Sequence, residues 1–194
     1  LMIARLEAGS AREMLGPLDI GQTVRSVGEL YEAVAEDQGL TLAVRAQDDL
    51  TIAGNRELIG QALANLIDNA LKYGAESAGA EASVTLEAWR DGETIRLAVS
   101  DHGPGIPEAE RARVLGRFVR LEDARSRPGF GLGLSLVNAV VRLHHGTLRL
   151  FDNAPGLRVE IGLPASPRPQ TEAGDILPAP ASGDPVPASP SCAS

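Results

Sequence analysis

Apolar positions in this chain switch repeatedly between a helical period and strict alternation, and the switches mark its elements. Leu1, Met2, Ile3 and Leu6, with Met14 beyond, recur among charges as the end of a helix over Leu1 to Glu13. Gly16-Pro17 stops it. Leu18 to Ile20 predicts a short strand. Val24, Val27, Leu30, Tyr31, Val34 and Ala35 then lie at helical spacing, which predicts an amphipathic helix from Gly21 to Gln38 capped by Gly39. Leu40, Leu42 and Val44 alternate as a strand, with Leu50 to Ala53 expected to return as its hairpin partner across Gln47-Asp48-Asp49. A long helix follows from Arg56 to Tyr73. After a polar loop from Gly74 to Ala82, Val84, Leu86 and Ala88 alternate. Asp91-Gly92 turns the chain, and Ile95, Leu97 and Val99 return toward Asp101.

Pro107 suits the first turn of a helix running to Gly116. Leu121 to Pro128 is charged and without apolar period, the pattern of a mobile loop. A further helix is expected from Gly131 to His145, then strands over Thr147 to Phe151 and Leu157 to Leu163. From Pro164 onward, 8 of the 13 prolines crowd among Ala, Ser and Gly, which predicts a disordered tail. Helices mixed with antiparallel hairpins argue for an α+β fold, a two-layer sandwich of one mixed β-sheet with helices on one face. The division expected is 1–15 as the end of one helix, 16–163 as a folded domain and 164–194 as tail.

Composition changes this picture in three places. The 194 residues suffice for a proper core, with 43% hydrophobic and 23% charged residues. A formal net charge of -8 argues against a nucleic-acid-binding surface, and it requires any polyanionic ligand to find local basic groups. The single cysteine, Cys192, excludes a disulfide framework and a cysteine metal site. Nothing in the chain has the pattern of a signal peptide or an apolar run long enough to span a bilayer. The chain starts at Leu1 inside a helical pattern. The expectation is therefore a fragment of a longer, cytoplasmic region, touching membrane only through segments upstream.

The Arg56 to Tyr73 helix carries the first candidate chemistry. Asn65, Asn69, Lys72 and Tyr73 fall on one side, opposite an apolar arc of Ile59, Leu63, Leu66, Ile67, Ala70 and Leu71. Asn is a mediocre helix former, so two of them one turn apart ask for a reason. Two readings stand: a solvated helix face, or amide oxygens and an ammonium that hold a hydrated metal ion and a phosphate chain. Asp101-His102-Gly103-Pro104-Gly105 leaves a strand end. It is either an ordinary turn or a carboxylate that accepts from an exocyclic purine amine, with glycines that let backbone approach a flat ring.

Gly129-Phe130-Gly131-Leu132-Gly133-Leu134 enters a helix and so supplies free amides to an anion, or a hinge, or both. Its G-x-G-x-G spacing and the charged loop before it do not fit a dinucleotide fold, and no Gly-Lys-Ser/Thr follows to make a P-loop. Between these motifs, Arg117, Arg120, Arg125 and Arg127 supply four positive charges in eleven residues.

Together and in this order, the motifs resemble the catalytic and ATP-binding domain of sensor histidine kinases. The likeness covers Pro17 to Leu163. N-L-I-D-N-A-L-K-Y resembles that family's asparagine box, D-H-G-P-G its first glycine box, R-F-V-R its phenylalanine box and G-F-G-L-G-L its second glycine box. The resemblance implies a Bergerat-type ATP-binding sandwich with ATP and Mg2+ as ligands. It implies that Asn69 holds Mg2+ with Asn65 beside it, that Lys72 meets phosphate oxygens and that Tyr73 lines the nucleotide pocket. Asp101 would accept from the adenine amine, with Gly103 and Gly105 shaping the pocket. Arg120 would reach the γ-phosphate. Gly129, Gly131 and Gly133, with Leu132 among them, would hinge a lid and present amides. Asn65, Lys72 and Arg120 are the implied catalytic set. Val119 departs from the family's usual aromatic residue, and Asn55 stands where an Asp commonly follows glycine.

The family phosphorylates a histidine on a separate two-helix dimerisation domain, for relay to an aspartate of a response-regulator receiver domain. The parent would then be a homodimer. This chain lacks the His-acidic motif, and Leu1 to Gly9 resembles only the last turns of the second dimerisation helix. His102, His144 and His145 are expected to be structural or surface residues. Two other readings are a self-contained ATPase of the same superfamily and a degenerate nucleotide-binding module. The ATPase would carry a Glu where this chain has Asn65.

Overall fold

The computed structural model describes residues 15–75, 83–114 and 133–166. In chain order the elements are β1 (Gly16–Asp19), α1 (Ile20–Asp37), β2 (Thr41–Ala46), β3 (Thr51–Gly54) and α2 (Arg56–Gly74). They are followed by β4 (Ser83–Asp91), β5 (Thr94–Ser100), α3 (Glu108–Val114), α4 (Gly133–Leu143), β6 (Thr147–Asp152) and β7 (Leu157–Pro164). Five strands form one mixed sheet in the order β2-β4-β5-β7-β6, with β2 parallel to β4 and the other neighbours antiparallel. The first helix of the sequence reading, the Leu121 to Pro128 loop and nearly all of the proline-rich tail lie outside the described residues.

Alternation along the strands sorts the sheet into two unlike faces. Val84, Leu86 and Ala88 of β4, Ile95, Leu97 and Val99 of β5, and Val159, Ile161 and Leu163 of β7 share one buried cluster. Ile20 and Val24 of α1, Leu63, Ile67 and Leu71 of α2, and Val137, Val140 and Val141 of α4 complete it. The outer face is a run of charges. Arg96 bonds Asp91 at 2.9 Å and Glu160 at 2.6 Å, and Arg158 bonds Glu87 at 2.7 Å beneath the Trp89 ring. Opposite charges on neighbouring strands, and across β5 from β7 to β4, solvate that face without burying it. The structure is thus an α+β sandwich with helices on one side.

The expected hairpin of β2 and β3 does not form: β2 lies parallel to β4, and β3 pairs antiparallel with β1 in a separate two-stranded sheet. Alternation specifies which face of a strand is buried, not which strand it joins. The register chosen sets Ile52 against Leu18, and both are buried. The Gln47 N–H continues the β2–β4 pairing by donating to the Ala88 carbonyl, and Asp49 then turns the chain at a φ of 58°. On α1, Leu30 and Val34 are 75% and 41% exposed rather than seated on the core. Each i to i+3 step from Val24 through Val27 to Leu30 drifts about 60° around the helix, which carries Leu30 off the buried arc.

The helix ends explain themselves locally. Asp19 Oδ1 accepts from the Gln22 N–H, and Asn55 Oδ1 accepts from the Leu58 N–H, so Asn55 caps α2 with its amide oxygen. Gly39, at a φ of 71°, donates to the Glu36 carbonyl while Leu40 donates to that of Ala35, a Schellman ending. α4 ends the same way with His145 in the left-handed position. Gly146 follows because a Cβ there would lie 2.5 Å from the Gly162 carbonyl oxygen of β7.

His144 ties α4 to α2. Its Nε2 accepts from the Asn55 N–H at 3.0 Å and its Nδ1 donates to the Val140 carbonyl at 2.8 Å, so the ring is neutral with the proton on Nδ1. Burial pushes its pKa down, the bond to Val140 opposes this, and nearby His145 reinforces it. A depressed folded pKa means that the unfolded chain binds the extra proton first. The contribution of His144 is therefore full above the unfolded value of about 6.5 and is lost as pH falls below it toward the folded value. Urea unfolding at pH 8 and pH 5 should show this loss in the unmutated chain and not in His144→Phe. That variant should be less stable by about 1 kcal/mol at pH 8, because the half-buried Asn55 N–H is left without an acceptor.

Candidate functional site

The site is built on the exposed side of α2. Asn65 donates from Nδ2 to the Gln61 carbonyl one turn back, at 2.8 Å, which fixes its amide and turns Oδ1 outward. The N-terminus of α4 lies directly over it. A Cβ on Gly133 would stand 3.4 Å from Asn65 Oδ1 and 3.3 Å from Asn69 Nδ2, so glycine is what allows this approach. The start of α4 at Gly133 thus faces the two asparagine amides. Further along α2, the Lys72 ammonium is 5.2 Å from the centre of the Tyr73 ring. Behind this face, burial first, then a hydrogen bond to Asp68, pushes the Tyr31 phenol up to about 12. Tyr31 therefore stays protonated and joins α1 to α2.

At the other end of α2 the chain leaves β5 through Asp101. The Gly103 N–H donates to Asp101 Oδ1 at 2.8 Å and the Leu157 N–H donates to the same oxygen at 3.3 Å. Neither bond uses Oδ2. The Asp101 N–H reaches the Leu157 carbonyl, and the Asp101 carbonyl accepts from Asn153 Nδ2 at 2.7 Å. Burial pushes the carboxyl pKa up, against the pull of the two backbone donors and of His102. The result is a buried acceptor that ionises reluctantly and gains from any further donor.

Glycines close the packing around it. A Cβ on Gly103 would lie 2.6 Å from the Tyr73 carbonyl oxygen, so the loop rests on the end of α2. Gly105, at a φ of 71°, passes equally close to the Gly156 carbonyl oxygen. His102 Nδ1 is 3.1 Å from the Ser83 carbonyl.

Asn65, Asn69, Lys72, Tyr73, Asp101, Gly103, Gly105 and Gly133 are therefore gathered along one helix, with Asp101 at one end and the α4 N-terminus toward the other. Arg120, Gly129, Gly131 and Leu132, with Val119, lie outside the described residues. Sequence reasoning missed Asn153, Gly156 and the Leu157 N–H. Asn153-Ala154-Pro155-Gly156 has the composition of a turn between strands, but no sequence period says that this turn folds back on Asp101.

A five-stranded mixed sheet with an asparagine-bearing helix against a buried aspartate defines a class of ATPase-like domain. Residues 54–167, more than half the chain, match the family described as histidine kinase-, DNA gyrase B-, and HSP90-like ATPase, and the chain belongs to it.

Within that family it is 38% identical over 165 residues to the signal transduction histidine-protein kinase/phosphatase MprB of Mycolicibacterium vanbaalenii. That match takes in 78% of this chain and 33% of the relative. It is 34% identical over 134 residues to the adaptive-response sensory kinase SasA of a Synechocystis species, covering 68% of this chain and 34% of that one. The chain thus spans about a third of the length of these curated relatives. Among solved structures, the mycobacterial sensor histidine kinase MprB superposes with a TM-score of 0.66 at 31% identity, covering 79% of this chain and 99% of that one. Full-length ShkA in complex with AMPPNP gives 0.72 at 30% identity, over 84% of this chain and 34% of its own. MprB carries the name of a sensor histidine kinase and SasA that of a sensory kinase, in keeping with the family that the motifs resemble.

Proposed function

We propose that residues 16–163 bind Mg-ATP and transfer its γ-phosphoryl group to a histidine on a dimerisation domain, for relay to a response-regulator aspartate. The observation that carries this reading is the placing of the α4 N-terminus over the Asn65 and Asn69 amides, with the buried Asp101 acceptor at the far end of the same helix. A triphosphate at the first end and a purine amine at the second match these groups in charge and in hydrogen-bonding sense.

The residues fit Mg2+ as well. Amide oxygens are hard donors, and the ion needs few protein ligands when phosphates and water supply the rest. Among the described residues no cluster of three or more His, Cys, Asp and Glu competes for that role. Asn69 would hold the ion, with Asn65 beside it. Bound there, Mg2+ would neutralise phosphate charge. Lys72 would meet phosphate oxygens, Tyr73 would line the base pocket and Asp101 would accept from the adenine amine. Arg120 would supply charge at the γ-phosphate, and Gly129, Gly131, Leu132 and Gly133 would cover the nucleotide. Catalysis on this reading is positioning and charge neutralisation.

In this reading residues 1–15 end a dimerisation helix and 164–194 form a tail. The parent is a homodimer whose kinase region is cytoplasmic. Among the described residues no helix is long and apolar enough to cross a membrane.

The test is labelling with γ-32P-ATP. The chain should not label itself, should label a separately supplied dimerisation domain bearing the acceptor histidine, and should fail to do so as Asn69→Ala. Both ring nitrogens of His144 are engaged in the fold, which leaves it no nitrogen for phosphate. Acid-labile phosphate on His144 or His145 would overturn the assignment.

A further inference from the structure

We infer that Asn153, in the turn between β6 and β7, is a positioning residue that sets base selectivity by holding Asp101 in one orientation. The inference rests on the nucleotide site proposed above and goes beyond it, because Asn153 lies outside every motif that pointed to that site.

The geometry is a clasp. Asn153 Nδ2 donates to the Asp101 carbonyl at 2.7 Å, and the Asn153 N–H donates to the Gly156 carbonyl at 3.1 Å, which closes the turn on itself. Leu157, the next residue, accepts from the Asp101 N–H through its carbonyl and gives its own N–H to Oδ1. Gly156 sits so close beneath that a Cβ there would overlap the Asp101 carbonyl oxygen, and its φ of 115° is one that side chains resist. The same glycine abuts Gly105 at the far end of the loop. The five residues Asn153 to Leu157 thus hold both peptide groups of Asp101 and both ends of the 101–105 segment.

Selectivity follows from rigidity. An acceptor discriminates an amine from a carbonyl at the same ring position only if it cannot swing away from the wrong group. Of the bonds to Asp101, the one from Asn153 restrains the peptide that leads to His102 and Gly103. Without it that peptide is free to rotate, the Gly103 N–H moves, and Oδ1 loses its 2.8 Å donor. The carboxylate then adapts to either base. A carbonyl accepts and does not donate, so the group facing Asp101 must be the Asn153 amide nitrogen. Asp at 153 would keep the shape but set an acceptor against an acceptor, and the bond would be lost.

Calorimetric affinities for Mg-ATP and Mg-GTP, with melting temperatures, decide the matter for four proteins. The unmutated chain should prefer ATP. Asn153→Asp and Asn153→Ala should lose roughly tenfold of that preference, about the effect of one hydrogen bond. Asn153→His, which can offer a ring N–H at the same depth, should recover most of it. A role confined to folding would lower the melting temperature of the loss variants and leave the ATP-to-GTP ratio intact. That result, from whichever of the two folds, overturns the inference. An unmutated chain without preference would sink the base assignment itself and this inference with it, whereas a selective wild type with equally selective variants sinks only the clasp.

Discussion

Replacing Asp101 with asparagine is expected to turn adenine preference into indifference or mild guanine preference, and to raise the melting temperature of the ligand-free protein. The two effects share one cause. Asp101 is buried, and burial outweighs the two backbone N–H donors in shifting its carboxyl upward. A carboxyl with a raised folded pKa opposes folding wherever it must be ionised, so at neutral pH the carboxylate is a cost to the empty fold. Asparagine keeps an oxygen for the Gly103 and Leu157 donors and removes the charge, which relieves that cost. It also puts an N–H where the carboxylate had a lone pair. An adenine amine then meets a donor, and a guanine carbonyl meets a partner.

Loss of the acceptor should cost about 1–3 kcal/mol of ATP affinity, or roughly 5-fold to 150-fold. Calorimetric titration with ATP and GTP, beside thermal melts without ligand, checks both halves. Equal affinity for the two nucleotides in the unmutated protein would remove Asp101 from the base site. A lower melting temperature in Asp101→Asn would mean that the carboxylate stabilises the fold instead of straining it.

How far the sequence could be read depended on how local each determinant is. The α2 helix was legible in full: its apolar arc is buried and its polar side carries Asn65, Asn69, Lys72 and Tyr73, because helical period is a property of consecutive residues. The β4–β5 hairpin was legible for the same reason, since Asp91-Gly92 specifies its own turn. The partner of β2 was not. β2, Thr41–Ala46, lies beside a strand that starts at Ser83, and nothing within either segment names the other.

The site divides in the same way. The motifs give the groups of the proposed site, and pairing between β5 and β7 supplies what holds Asp101 in place. Asn153 and Gly156 were visible only as turn residues, because the contact that gives them a task spans more than fifty residues. The histidines were expected to be structural or surface residues, and both ring nitrogens of His144 are engaged within the fold. That His144 links the caps of two helices required coordinates.

The largest expected gain of activity turns on Asn65. Its Oδ1 faces the N-terminus of α4, where the proposed site has the triphosphate, so the residue at 65 is positioned to act on whatever attacks the terminal phosphorus. Water is a poor nucleophile near neutral pH, and a placed general base typically contributes about 10²–10⁴-fold. An amide oxygen can orient a water but cannot take its proton, and the Asn65 amide nitrogen, a donor only, is turned back to the Gln61 carbonyl. The unmutated chain should therefore bind ATP and release phosphate slowly, which reserves the γ-phosphoryl group for a histidine acceptor.

Asn65→Glu supplies the missing base on the same turn of α2. It gives up the bond to Gln61, whose carbonyl keeps its place in the helix, so the fold should tolerate the change. Hydrolysis should rise by at least tenfold, short of the full general-base factor because the glutamate is one methylene longer than the asparagine it replaces. ADP affinity should change little. Phosphate-release kinetics on both proteins, with Asn69→Ala as the control for contaminating activity, give the answer. Fast turnover by the unmutated chain that disappears in Asn69→Ala would mean that this domain hydrolyses ATP for its own sake, and the kinase reading would fall.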